Sequence, residues 1–222
     1  MTAHFLHDHT RIQESILAPP ERLVLRFFAG MMPARINPDH LTLLGVLGTV
    51  GAASFYCLGR WDSSYVYLAS LAIVLNWFGD SMDGTLARHR HRLRPRYGYY
   101  IDHILDSVGA ALVVAGLTLG GFMSLRPAAA FLAVYFLLNI HIYLATAATG
   151  EFKISFGLLG PTELRIGLIV GNWFLVTHPV VHVAGRSYLL FDLGAIIGAG
   201  VLLLILIVAS ARVARRLYQL ES

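Results

Sequence analysis

Asp80-Ser-Met-Asp83-Gly84-Thr-Leu-Ala87-Arg88, followed after nine residues by Gly98-Tyr-Tyr-Ile-Asp102-His-Ile-Leu-Asp106, sets four carboxylates at the ends of two long apolar runs. Each costs about 2.5 to 3.5 kcal/mol to place in a bilayer on insertion scales, so the runs tolerate them only if something compensates the charge. Asp80, Asp83, Gly84 and Ala87 are spaced i, i+3, i+4 and i+7 and share one helix face. Gly98, Asp102 and Asp106, spaced i, i+4 and i+8, share one face of the next helix. A linker centred near Leu93 turns the chain back, which in an antiparallel hairpin sets Asp80 opposite Asp106 and Asp83 opposite Asp102. Four carboxylates meeting at one spot repel unless cations neutralise them, and hard oxygen ligands suit one or two Mg²⁺ or Mn²⁺ ions. Gly84, Ala87 and Gly98 carry almost no side chain on these faces, which leaves space for a ligand or for close helix contact.

Outward from these two runs, the 222 residues are 56% apolar and only 14% charged, with a mean hydropathy of +0.64. The apolar residues gather in long stretches rather than alternating, which predicts an all-α integral membrane protein. Six transmembrane helices are expected near 41–58, 65–82, 100–119, 127–147, 164–177 and 192–211, the fifth interrupted at its end by Pro179 and two histidines. Of the 17 Lys and Arg, 14 then fall on the side of the termini, and only Arg60, Arg126 and Arg186 lie opposite. Basic loops stay inside, so both termini and the carboxylates are expected at the cytoplasmic face. Short loops and small size suggest a bacterial cytoplasmic membrane, and the basic excess reads as topology rather than a nucleic-acid site.

Ahead of the spans, Pro19-Pro20-Glu21 reads as a helix start, and Leu23, Val24, Phe27 and Phe28 run in helical register with Arg22 and Arg26. Residues 1–40 are therefore expected to form a tail and an interfacial amphipathic helix, and residues 41–222 a six-helix transmembrane catalytic domain. The stretch Met1 to Gln13 is polar, holds His4, His7 and His9, and lacks the order of a cleaved signal peptide. Cys57 has no partner cysteine.

The eight positions Asp80, Asp83, Gly84, Ala87, Arg88, Gly98, Asp102 and Asp106 resemble the signature of the CDP-alcohol phosphotransferases, also called CDP-alcohol phosphatidyltransferases. Pro38-Asp39-His40-Leu41-Thr42 resembles the element that opens the family's first span, with Asp39 where many members have Asn. The resemblance implies that Asp80, Asp83 and Asp102 are metal ligands, with Asp106 near the metals as general base on the acceptor hydroxyl. It implies a nucleotide site at Gly84, Ala87, Arg88, Gly98, Asp39 and Thr42, and an acceptor site around Lys153, Ser155 and Arg165 near Glu163. Members that use inositol phosphate tend to carry an arginine near position 161, where this chain has Pro161, so that acceptor is not the one expected. The family is also homodimeric by resemblance.

The expected reaction moves a phosphatidyl group from CDP-diacylglycerol to a small polar alcohol with release of CMP. One alternative uses CDP-choline or CDP-ethanolamine with a diacylglycerol acceptor. Another, of a different class, is a divalent-cation transporter using the same aspartates, which leaves Gly84, Ala87, Arg88 and Gly98 unexplained. Arg90, Arg92, Arg94 and Arg96 are expected to set topology and meet anionic lipid. His103 points about 100° from Asp102 on the same helix and is expected to pack or hydrogen-bond rather than ligate.

Overall fold

A computed structural model describes residues 17–149, 161–183 and 185–221. Helix α1 (Ala18–Met31) has proline in its first turn, where the ring fixes a helical φ and no amide donor is missed. Helix α2 (Pro38–Leu58) also opens on proline, and the Asn37 N–H donates to His40 Nδ1 at 3.2 Å. Helix α3 (Tyr65–His89) ends in a Schellman turn, with the Arg92 N–H on the Ala87 carbonyl at 2.9 Å and the His91 N–H on Arg88 at 3.2 Å. His91 takes the left-handed conformation this turn needs, φ +52°, so the reversal falls two residues before Leu93. Pro95 then starts α4 (Pro95–Leu119), followed by α5 (Leu125–Thr149) and α6 (Pro161–Thr177). A short hairpin, β1 (Val180–Val183) paired antiparallel with β2 (Arg186–Leu189), leads into α7 (Leu190–Glu221).

Helix α2 is the hub, packed along α3 and also against α4. Its buried face, Leu41, Gly45, Gly48, Ala52 and Tyr56, is made mostly of small residues. A Cβ on Gly48 would sit 2.5 Å from the Asn76 amide nitrogen and 2.7 Å from the Ala72 carbonyl, and one on Gly79 would strike the backbones of Leu41 and Gly45. On the α4 side, a Cβ on Gly116 would lie 2.6 Å from the Ala53 carbonyl. Close helix contact therefore falls to Gly45, Gly48, Gly79 and Gly116, whereas a Cβ at Gly98 would meet nothing within 4 Å. The alternatives left open for Gly98 resolve toward space.

The interior divides into two apolar clusters. One joins Tyr56, Val66, Ile73, Leu117, Leu175 and Phe191 toward the end of the bundle that holds the hairpin. The other joins Leu25, Ala29, Leu41, Met82 and Leu86, clamping α1 onto α2 and α3 at the opposite end. Within the first, the fully buried Asn172 accepts from the Tyr56 hydroxyl at 2.8 Å and donates to Ser70 Oγ at 2.9 Å, tying α6 to α2 and α3. Asp192 on α7 receives the Ser124 N–H and hydroxyl at 2.6 and 2.7 Å, holding the start of α5.

Four helices, α2, α4, α5 and α7, are long and apolar enough to cross a bilayer among the described residues, against the six expected. Helix α6 has 17 residues, about 26 Å, short of the ~30 Å of hydrocarbon. Helix α3 has the length, 25 residues, but carries Asn76, Asp80, Asp83 and Arg88. The break at Pro179 is the start of the β1–β2 hairpin, which periodicity did not announce. The tail up to residue 16 lies outside the described residues, so the three N-terminal histidines have no structural account.

Gly79→Ala is expected to separate α2 from α3 and lower stability by about 1 to 3 kcal/mol, as overpacking of a dense interior does. Thermal unfolding in detergent measures this, with Gly200→Ala, where a Cβ meets nothing within 4 Å, expected to melt close to the parent.

Candidate active site

A polar layer lies along the C-terminal half of α3. Asn76 begins it: its Nδ2 donates to the Gly45 carbonyl at 3.1 Å and to Thr49 Oγ1 at 2.9 Å, leaving Oδ1 to accept from Arg165 Nε at 2.9 Å. The Arg165 guanidinium reaches on to Asp80 Oδ2 at 2.7 Å, with its side chain only 14% exposed. One turn further, Asp83 is 8% exposed and accepts from the Thr42 hydroxyl at 2.6 Å and from the Gly84 amide. Asp80 and Asp102 both lie close enough to repel the Asp83 charge. Asp106 lies near Tyr135 and Tyr143 of α5, and Arg165 also lies near Tyr135.

Three of the four predicted carboxylates thus share one neighbourhood, while Asp106 borders it from the α5 side. They have not closed on one point: among the described residues, no three His, Cys, Asp or Glu side chains form a metal-holding group. The reason lies in the packing, since α3 and α4 both press on α2 and barely touch each other. The donor set still fits a hard divalent ion. Arg165 answers Asp80, but Asp83 is met by a hydroxyl and an amide, which bring no net charge to offset its neighbours.

Gly84 sits under the Arg88 guanidinium, whose Nη1 would lie 3.5 Å from a Cβ there, and Arg88 Nη2 donates to Thr85 Oγ1 at 3.2 Å. Ala87 lies one turn beyond Asp83 and is half-buried. Asp39 pairs with Arg94, which also stacks 4.4 Å over the Tyr97 ring. Thr42 enters the site through Asp83. Lys153 and Ser155 lie outside the described residues, so of the expected acceptor residues Arg165 alone has a place here. His103 approaches the Tyr99 carbonyl at 2.6 Å and packs its ring on Tyr99 and Tyr143, as expected of a packing residue.

Sequence reasoning missed several contributors. Arg90, expected to meet lipid, instead donates to the carbonyls of Met32, Pro33 and Ile36 and so ties the α1–α2 connection to the end of α3. Asn76 and Glu21 were also missed. A lone Asn in an apolar run was the available signal for Asn76, since an amide there needs partners.

A family model for CDP-alcohol phosphatidyltransferases matches residues 35–211. The archaetidylinositol phosphate synthase of Methanothermobacter thermautotrophicus is 26% identical over 182 residues, 78% of this chain and 89% of that protein. The phosphatidylinositol phosphate synthase of Streptomyces avermitilis is 32% identical over 99 residues, covering 44% of this chain and 38% of its own length. Cholinephosphotransferase 1 of Bos taurus is 24% identical over 174 residues, 74% of this chain and 42% of that protein. Two of these relatives are named for inositol phosphate products, in contrast to the expectation drawn from Pro161. The match runs from the loop before α2 into α7 and contains every signature residue, and the chain belongs to the CDP-alcohol phosphatidyltransferase family: an integral membrane transferase of phospholipid synthesis with a CDP-alcohol donor and an alcohol acceptor.

Proposed function

We propose that the protein moves a phosphatidyl group from CDP-diacylglycerol to a small polar alcohol and releases CMP. The observation that carries this reading is the electrostatic contact of Asp80, Asp83 and Asp102 at the inner end of α3. The open face at Gly98 leaves room beside them. Asp80, Asp83, Asp102 and Asp106 would hold one or two Mg²⁺ or Mn²⁺ ions. Such ions, when bound, neutralise the donor diphosphate and stabilise the departing phosphate of CMP.

The remaining work falls to the chain itself. The Thr42 hydroxyl fixes the rotamer of Asp83 through its 2.6 Å hydrogen bond. Gly84, Ala87, Gly98, Asp39 and Thr42 form the nucleotide side, and Arg88, held over Gly84, pairs with a phosphate of the donor. Asp106 takes the proton of the acceptor hydroxyl as that oxygen bonds to the phosphorus of the phosphatidyl group. The bond from this phosphorus to the bridging oxygen breaks, and CMP leaves with the electron pair. Lys153, Ser155 and Arg165 would bind the acceptor.

The reading extends to topology. Helices α3 and α6 also span, making six, with residues 41–222 as the catalytic domain and 1–40 as its tail and interfacial helix. Exposed Leu23, Phe27 and Met31 seat α1 at the membrane surface. In this reading the termini and the site face the cytoplasm, supported by 14 basic residues on one side against three on the other, the membrane is a bacterial one, in keeping with small size and short loops, and the working unit is a homodimer. A second donor reading, a CDP-linked small alcohol with diacylglycerol as acceptor, is supported by the cholinephosphotransferase that aligns over 74% of this chain.

Purified protein in detergent is expected to release CMP from CDP-diacylglycerol only with Mg²⁺ or Mn²⁺ and to stop on addition of EDTA. Asp106→Asn is expected to lower kcat by about 100-fold or more, the usual worth of a general base. Inositol phosphate is offered first, because two relatives are named for it, then glycerol phosphate, inositol and serine. Silence on that panel with turnover of CDP-choline and diacylglycerol would transfer the assignment to the second donor reading, and metal flux into liposomes without nucleotide would replace both.

Arg165→Gln is expected to raise KM for an acceptor bearing phosphate or carboxylate by about 10-fold, the loss of one charge-assisted bond, and to leave KM for a neutral alcohol near that of the parent. Initial-rate measurements on inositol phosphate against inositol check the difference.

A further inference from the structure

Glu21 has no role in the chemistry above, yet its carboxylate is bonded across three helices. Its Oε1 accepts from Trp77 Nε1 at 2.8 Å, Ser81 Oγ at 2.9 Å and Thr162 Oγ1 at 3.1 Å, and Oε2 also lies 3.1 Å from the Thr162 hydroxyl. Trp77 and Ser81 flank Asp80 on α3, three residues before it and one after. Thr162 is three residues before Arg165, the partner of Asp80, on α6. Beside this cluster the Leu17 N–H donates to Glu163 Oε1 at 3.1 Å, a second link between the start of α1 and α6.

The Asp80–Arg165 pair joins α3 to α6 on one side of the polar layer, and Glu21 joins the same two helices from beneath, through α1. A carboxylate receiving several donors holds them more tightly than neutral groups would. One and two turns further along the same face of α1, Leu25 and Ala29 pack with Met82 and Leu86 of α3, so the carboxylate and the apolar stripe hold one side of the helix.

We propose that Glu21 is a positioning residue for the transfer: it sets the spacing of α3 and α6 so that Asp80 and Arg165 stay in register, and thereby makes α1 part of the site. The inference rests on the reading of Asp80 and its neighbours as the metal-holding face. Its oxygens are taken by protein donors, so Glu21 acts through the helices rather than on substrate.

The test measures Mn²⁺ affinity by electron paramagnetic resonance, together with kcat and donor KM for CMP release, in the full chain and in Glu21→Ala, Glu21→Gln and Thr162→Val. Glu21→Ala is expected to weaken Mn²⁺ binding and lower kcat by about 10-fold each, with donor KM within about twofold, as loss of a group that orients metal ligands does. Glu21→Gln is expected to recover most of both, because its amide oxygen accepts the same donors. If Glu21→Ala fails to fold, Thr162→Val, which deletes only the α6 arm, carries the test with a loss of about 3-fold. Parent-like Mn²⁺ affinity and kcat in the folded variant would overturn the role of Glu21 while leaving the active-site reading intact. A parent protein that binds no Mn²⁺ and releases no CMP would overturn the reading and this inference together.

Discussion

Asp83 is buried toward the C-terminal end of α3 with Asp80 and Asp102 beside it, and most of the surrounding architecture answers that one electrostatic problem. A buried carboxylate without compensation is among the most expensive things a fold can contain, and like charges nearby raise the expense. The polar partners come from three helices. Thr42 arrives from α2, the Gly84 amide from α3 itself, and Arg165 from α6 through Asp80, with Asn76 holding that guanidinium in place. Each partner sits on a different helix or turn, so the site exists only when α2, α3 and α6 are packed together. Catalytic geometry and tertiary structure are in this sense the same object.

That packing depends on backbone approach rather than on large side chains. Gly45, Gly48 and Gly79 bring α2 and α3 together closely enough for the Asn76 amide to reach the Gly45 carbonyl and Thr49. Gly116 does the same for α4. Because α2 takes both contacts, α3 and α4 do not zip together, and their carboxylate faces stay splayed. A directly packed hairpin would bury those faces against each other. A hub helix leaves them near enough to interact without packing directly on each other.

The signature carboxylates, the small residues around them and the helical membrane class were legible in the sequence, because each leaves a local mark: a charge where charge is costly, a glycine on a charged face, a long apolar run. What was not legible is what depends on distant pairing. Nothing near Glu21 announces that Trp77, Ser81 and Thr162 converge on it, and nothing near Arg90 announces that it closes the α1–α2 connection. The buried Tyr56–Asn172–Ser70 chain is equally silent, since its members lie up to 116 residues apart. The turn was placed at Leu93 by symmetry, whereas local chemistry put it at His91, where a left-handed residue completes the Schellman turn.

The count of spans follows from the same physics. Of the six spans expected, the two that fail the simple test of length and apolarity, α3 and α6, are the two joined by the Asp80–Arg165 pair. Helix α3 touches α1, α2 and α6 and buries nine residues, Asp83 and Thr85 among them. Helix α7 is the reverse, the most apolar of the four clear candidates at a hydropathy of 2.7, with 6% of that stretch buried inside the protein. A helix shielded by its neighbours has no need to be uniformly apolar, because its polar groups find partners in protein.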